Sequence, residues 1–114
     1  MITRTLQQRI EGNLFKGKAV IVIGARQVGK STLFRQITEK LEEPVLMLNC
    51  DEPEVRELLA GMNLVELKLM IGKHRLIVID EAQRVSEIGM TLKRITDNFP
   101  EVQLLVTGSS SFEL

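Results

Sequence analysis

Apolar residues recur along this chain in two alternating rhythms. Ile2, Leu6, Ile10 and Leu14 fall every four positions, with Gln7, Gln8, Arg9 and Glu11 elsewhere. That spacing predicts an amphipathic helix from Thr3 to Phe15, packed ahead of the core and weakened in its second half by Gly12. Ala19-Val20-Ile21-Val22-Ile23 is instead a continuous, largely β-branched apolar run, as a strand buried on both faces requires. Leu33, Phe34, Ile37 and Leu41 return to helical spacing, and Glu42-Glu43-Pro44 stops that helix because the residue before a proline is pushed out of the α region. The alternation then repeats. Val45-Leu46-Met47-Leu48-Asn49 reads as a second strand, and Pro53 opens a short helix carrying Val55, Leu58 and Leu59 that ends near Gly61. Asn63 and Glu66 have the form of a capping box for a helix carrying Leu64, Leu67, Met70 and Ile71, which Gly72 ends. Leu76-Ile77-Val78-Ile79 is a third strand, and Ile88, Leu92 and Ile95 mark a helix with Ser86 as its candidate cap, ending around Asp97-Asn98. After the break at Phe99-Pro100, Gln103-Leu104-Leu105-Val106-Thr107 is a fourth strand.

Strands alternating with helices predict an α/β fold, a three-layer sandwich built on a parallel sheet with right-handed crossovers. Residues 1–18 then form an N-terminal amphipathic helix and residues 19–114 the core. The chain has 114 residues, enough for one domain, and its 44% hydrophobic and 26% charged content is that of an ordinary globular protein. Fifteen Lys and Arg balance fifteen Asp and Glu, so no global field draws nucleic acid or an anionic membrane. Trp and Tyr are absent and only four Phe are present, leaving little with which to stack unpaired bases. These features argue against a nucleic-acid partner. No apolar run is long enough to cross a bilayer and the N-terminus lacks a signal-peptide segment, so the expected location is cytoplasmic, with no membrane partner. Cys50 is the single cysteine and His74 the single histidine. The first reads as a small buried hydrophobe and the second as a solvated loop residue.

The chemistry lies where strands end. Gly24-Ala25-Arg26-Gln27-Val28-Gly29-Lys30-Ser31 fits G-x-x-x-x-G-K-[ST], the Walker A phosphate loop, with the strand before it and the helix after it that the motif requires. Glycines let the backbone wrap tightly, successive N–H groups point at phosphate oxygens, and the helix presents its positive dipole end. Lys30 supplies a point charge for the β- and γ-phosphates, and Ser31 a hydroxyl for Mg²⁺, a hard cation that prefers oxygen. Asp80 and Glu81 follow four consecutive apolar residues, which puts both carboxylates at the C-terminal end of a buried strand, where open α/β sheets bind ligands. In a Walker B strand, Asp80 would hold the Mg²⁺ shell opposite Ser31. Glu81 would take a proton from, or orient, the water attacking the γ-phosphate. Thr107-Gly108-Ser109 ends the fourth strand in the same way, and Ser109, then Thr107, are the candidates to contact the γ-phosphate or that water.

Taken with Thr32-Leu33 after the loop, Asp80-Glu81-Ala82-Gln83 and Thr107-Gly108-Ser109-Ser110-Ser111-Phe112, the sequence resembles AAA domain family 14, prokaryotic AAA+ ATPases usually fused to a C-terminal domain of unknown function. The resemblance implies ATP or ADP with Mg²⁺, nucleotide contacts from Gly24 through Thr32, and strand order 2-3-4-1. It also implies a fifth strand, a helical lid and a further domain beyond residue 114, so an N-terminal fragment is expected. The lid's second sensor arginine and a neighbour's arginine finger would then be missing, leaving hydrolysis slow or undetectable in these residues while the full-length protein is an ATPase. Without a fifth strand the Ala19–Ile23 edge invites self-association unless the N-terminal helix covers it. Two other readings stand beside this one. Asp80-Glu81-Ala82-Gln83 also suits a helicase-type, nucleic-acid-dependent ATPase, and a nucleotide-gated interaction module would use the same loop with little hydrolysis.

Overall fold

The computed structural model describes residues 4–15, 19–23 and 30–109, with side chains described from residue 8 in the first segment and from residue 33 in the third. The elements run α1 (Arg4–Gly12), β1 (Val20–Ile23), α2 (Lys30–Leu41), β2 (Val45–Asn49), α3 (Pro53–Leu59), α4 (Leu64–Ile71), β3 (Leu76–Asp80), a 3-10 turn (Ala82–Arg84), α5 (Ile88–Asn98) and β4 (Gln103–Gly108). The four strands are all parallel in the order β1-β4-β3-β2, the same arrangement as 2-3-4-1. The step from β1 to β2 crosses two strands in one direction, whereas β2 to β3 and β3 to β4 each move one place back. Right-handed crossovers therefore put α2 on one face and α3, α4 and α5 on the other.

Strand alternation divides the core into two. Leu76, Val78 and Leu105 face α2, where they pack with Leu33, Phe34 and Ile37. Ile77, Ile79, Leu104 and Val106 face the other way and pack with Leu59, Leu67, Ile71, Leu92 and Ile95. Every residue of β4 is buried, and so are the four apolar residues of β3. These two central strands are apolar on both sides because both sides carry helices.

α1 belongs to the α2 layer. Ile10 is buried among Leu33, Phe34 and Ile37, with Leu14 against the same cluster, and Lys40 pairs with Glu11 at 3.1 Å. Its C-terminal end is tied to the start of β4: the Phe15 amide donates to Oε1 of Gln103, a side chain that is itself buried. Arg75 lies over the Phe15 ring, 4.9 Å from its centroid. The contacts described for α1 are thus with α2 and the sheet face.

Helix ends mostly follow the local sequence. The capping box of α4 is complete: Asn63 Oδ1 accepts from the Glu66 amide at 2.8 Å and Glu66 Oε1 from the Asn63 amide at 3.0 Å. Gly72 follows α4 at φ 55, a left-handed value that favours glycine. α2 ends at Leu41, and Glu42 takes the left-handed position that usually follows a helix at φ 53, ahead of Pro44. One expectation is corrected. The N-cap of α5 is Glu87 rather than Ser86, held at φ 55 and ψ 36 with no side-chain cap bond, so the helix starts one residue later and without the hydroxyl cap that Ser86 offers. His74 is half-buried, with Nδ1 2.9 Å from the Ile71 carbonyl, so it caps the end of α4 rather than standing in open solvent.

Replacing Asn63 with Ala removes one half of the capping box and should lower stability by about 1 kcal/mol, with Asn63→Ser retaining most of it. Urea denaturation of the two variants checks this.

Candidate functional site

Parallel strands deliver their C-terminal ends to one edge of the sheet. Asn49, Asp80 and Gly108 end β2, β3 and β4 there, and α2 begins at Lys30 after β1. Gly24, Ala25, Arg26, Gln27, Val28 and Gly29 lie outside the described residues. Lys30, Ser31 and Thr32 form the first turn of α2, with side chains outside the description. The loop of the phosphate motif thus leads into a helix N-terminus, the arrangement its chemistry requires.

Register brings the carboxylates to Thr107. Ile79 pairs with Val106, and Asp80 and Thr107, one step on, both fall on the α2 face with Val78 and Leu105. The Thr107 hydroxyl donates to Oδ1 of Asp80 and accepts the Glu81 amide at 3.1 Å, so one buried hydroxyl spans both acidic residues. Such a hydroxyl has one proton to give and lone pairs to receive, and both capacities are used here. Glu81 sits at φ 56, ψ 44, a left-handed conformation that costs a non-glycine residue roughly 1–2 kcal/mol. The bond from its amide to Thr107 helps hold that turn, which swings the Glu81 side chain away from the line of β3. Glu81 is 7% exposed.

The 3-10 turn that follows supplies a residue to which the sequence pattern gave no role. Gln83 Nε2 donates to Glu81 Oε1 at 2.8 Å, and Gln83 Oε1 accepts the Ser109 amide at 3.2 Å. Ser109 is therefore joined to Glu81 through Gln83, while Thr107 joins Asp80 to Glu81 directly. Asp80, Glu81, Thr107 and Ser109 are brought together as expected. Gln83 went unassigned because its meaning lies in a contact across 26 residues, for which the sequence has no local signal.

Two features border this cluster. A cleft of about 420 Å³ runs beside α2 and over β2, with Phe34, Thr38, Val45, Met47 and Asn49 among its walls and Asp80 and Thr107 in its lining. On the other flank the Cys50 amide donates to the Asp80 carbonyl at 2.9 Å, extending the β2–β3 ladder, and Arg56 donates to the carbonyls of Cys50 and Asp51 at 2.9 Å each. Cys50 is fully buried. Burial first, and then the charges of Asp80 and Asp51, push its thiol up to about 11. It is a structural residue, as expected.

Thr107→Val keeps the shape and removes the bridging hydroxyl, so the Glu81 amide loses its partner. We expect a loss of about 1–3 kcal/mol in thermal or urea denaturation, with Thr107→Ser close to the parent. Cys50 should resist alkylation in the folded chain at neutral pH and react on unfolding. The thiol holds its proton more tightly folded than unfolded, so its contribution to stability is complete below the ordinary thiol range and is lost as pH rises through that range toward about 11. Stability measured by denaturation across this alkaline window should fall less steeply in Cys50→Ala.

No curated protein matches the chain. Among solved structures, a DNA replication initiation factor superposes with TM-score 0.63 at 18% identity, covering 92% of this chain and 36% of that one. The Pif1 helicase of Bacteroides, bound to single-stranded DNA, gives TM-score 0.64 at 19% identity over 96% of this chain and 32% of that one. The Pif1 helicase of Candida albicans gives 0.56 at 18% identity, with 95% and 32% covered. At these identities the likeness is one of fold, the P-loop ATPase fold, and the chain spans about a third of the length of each. The family model AAA_14, described as an AAA domain, matches residues 16–114. With the parallel β1-β4-β3-β2 sheet and the acidic strand end beside the start of α2, this places the chain in that AAA domain family of P-loop ATPases.

Proposed function

We propose that this domain binds ATP or ADP together with Mg²⁺ and, in the protein that carries it, hydrolyses ATP. The observation that supports the reading most is the meeting of Asp80, Glu81, Thr107 and Ser109 at the sheet edge where α2 begins. In this reading Gly24, Ala25, Arg26, Gln27, Val28 and Gly29 wrap the phosphates with backbone N–H groups, Lys30 meets the β- and γ-phosphates, and Thr32 completes the first turn beneath them. Ser31 and Asp80 hold the metal. Their donors are all oxygen, the set Mg²⁺ prefers, and Thr107 fixes the rotation of the Asp80 carboxylate. When bound, the cation would neutralise charge on the phosphate oxygens.

Glu81 is the candidate base. Its backbone is held by Thr107 and its carboxylate by Gln83, so the group that receives a proton from the attacking water is oriented before nucleotide arrives. Ser109, the residue after β4, is the first candidate to contact the γ-phosphate or the attacking water. Thr107 is buried and bonded to both acidic residues, so in this reading it serves the site by positioning them, and it remains the second candidate to contact the γ-phosphate or the attacking water.

A nucleic acid as partner is a second reading. The neutral charge and scarce aromatics weigh against it, while the Pif1 helicases that share this fold include one bound to single-stranded DNA. A rate of ATP turnover raised by single-stranded DNA would decide for it.

Calorimetric titration with ATP and with ADP, each with and without Mg²⁺, tests the main proposal. We expect Mg²⁺-dependent binding that Lys30→Ala abolishes, and Glu81→Gln should retain ATP binding while lowering turnover by the full-length protein by at least about 100-fold. Nucleotide binding unaffected by Lys30→Ala would overturn the assignment of the phosphate loop.

A further inference from the structure

Gln83 stands between two segments that the proposed reaction needs to act together. Glu81 follows β3 and Ser109 follows β4, and the amide of Gln83 reaches both, donating from Nε2 to the Glu81 carboxylate at 2.8 Å and accepting at Oε1 from the Ser109 backbone at 3.2 Å. Chemistry fixes the orientation of this amide. A carboxylate can only accept and a backbone N–H can only donate, so Nε2 must face Glu81 and Oε1 must face Ser109. No other neutral side chain of this length offers a donor and an acceptor in one plane. A glutamate at 83 would set carboxylate against carboxylate, and an asparagine is one methylene short.

The tether is also seated firmly. Gln83 lies in the middle of a 3-10 turn closed by the Arg84 amide on the Glu81 carbonyl at 3.1 Å and the Val85 amide on the Ala82 carbonyl at 3.0 Å. Ala82 and Val85 anchor that turn in the core on the α5 side. The bond to Glu81 is charge-assisted, which makes it the stronger of the two. Thr107 sets where the Glu81 backbone turns, and Gln83 sets where its side chain points.

We propose that Gln83 is a positioning residue that locks the Glu81 carboxylate to the segment after β4, so that a displacement of Ser109 is transmitted to the base. The proposal rests on the reading of Glu81 as that base. A shift of Ser109 toward a γ-phosphate pulls on Oε1, and because the amide is planar, Nε2 moves with it. Loss of the amide leaves the nucleotide site intact and frees the carboxylate to rotate.

Single-turnover hydrolysis by the wild-type, Gln83→Ala, Glu81→Gln and doubly substituted proteins tests this, together with ATP affinity for each. Gln83→Ala should lower the hydrolysis rate by about 10- to 100-fold, the usual effect of misplacing a reacting group, with ATP affinity within about twofold of the parent. In the Glu81→Gln background the same change should cost nothing further. An equal loss in both backgrounds, or an unchanged rate in Gln83→Ala, overturns the proposal. A second arm needs no turnover: in the ¹⁵N-labelled chain, Glu81→Ala should shift the Ser109 amide resonance when Gln83 is present and leave it unmoved in Gln83→Ala. If the full-length protein binds ATP without hydrolysing it, the reading of Glu81 as base fails; where these residues alone do not turn over, this arm still decides the tether, and a Ser109 amide indifferent to Glu81 overturns it.

Discussion

A one-residue slip of β3 against β4 would turn Asp80 and Thr107 to opposite faces of the sheet, because side chains alternate with a period of two. The hydroxyl would then miss both acidic residues, and Glu81 would have to adopt its left-handed backbone unaided. The register Ile79 with Val106 is therefore the constraint from which the site follows. It is strongly specified. Leu76, Val78 and Leu105 fill the layer under α2, while Ile77, Ile79, Leu104 and Val106 fill the layer under α3 to α5, so a slip would exchange the two sets between cavities of different shape. Packing density in such a core makes that exchange costly.

The opposite end of the sheet shows how the same economy of polar groups fixes α1. Gln103 is buried at the start of β4, where an unpartnered amide would be expensive. It accepts from Phe15 and donates to the Leu104 carbonyl at 2.9 Å, and its own amide donates to the Arg75 carbonyl at 2.7 Å. Through its side chain and its backbone, Gln103 thus joins the segment after α1, the entry to β3 and the foot of β4. β4 carries a polar residue at each end, Gln103 and Thr107, and between them only Leu104, Leu105 and Val106. The central strand is apolar where helices cover it and polar where other segments must be attached.

How much of this the sequence discloses depends on the range of the interaction. The strands are legible because a strand covered on both faces must be apolar throughout, and Leu76 to Ile79 could hardly be anything else. The capping box at Asn63 and Glu66 is legible because both partners lie within one helical turn. Strand order came through resemblance to a family rather than through any pattern in the residues, since nothing local says which strand lies beside which. The cap of α5 is not legible, because Glu87 makes no side-chain cap bond that its residue type could announce. Thr107 was named for the right neighbourhood, and its bond to Asp80 became visible only with the register. The role of Gln83 is not legible in Asp80-Glu81-Ala82-Gln83, because its two partners are set by the turn and by β4.

The division between Thr107 and Gln83 has a physical logic. Thr107 lies in a strand buried along its whole length, and its χ1 is restricted by β-branching, so it suits the holding of backbone and carboxylate at fixed positions. Gln83 sits half-buried on a short turn with a longer side chain, and its bonds run to a carboxylate and to the amide just beyond the end of β4. The ends of β3 and β4 are thus joined twice, by a short hydroxyl link from Thr107 to Asp80 and to the Glu81 amide, and by a longer amide link from Gln83 to the Glu81 carboxylate and the Ser109 amide.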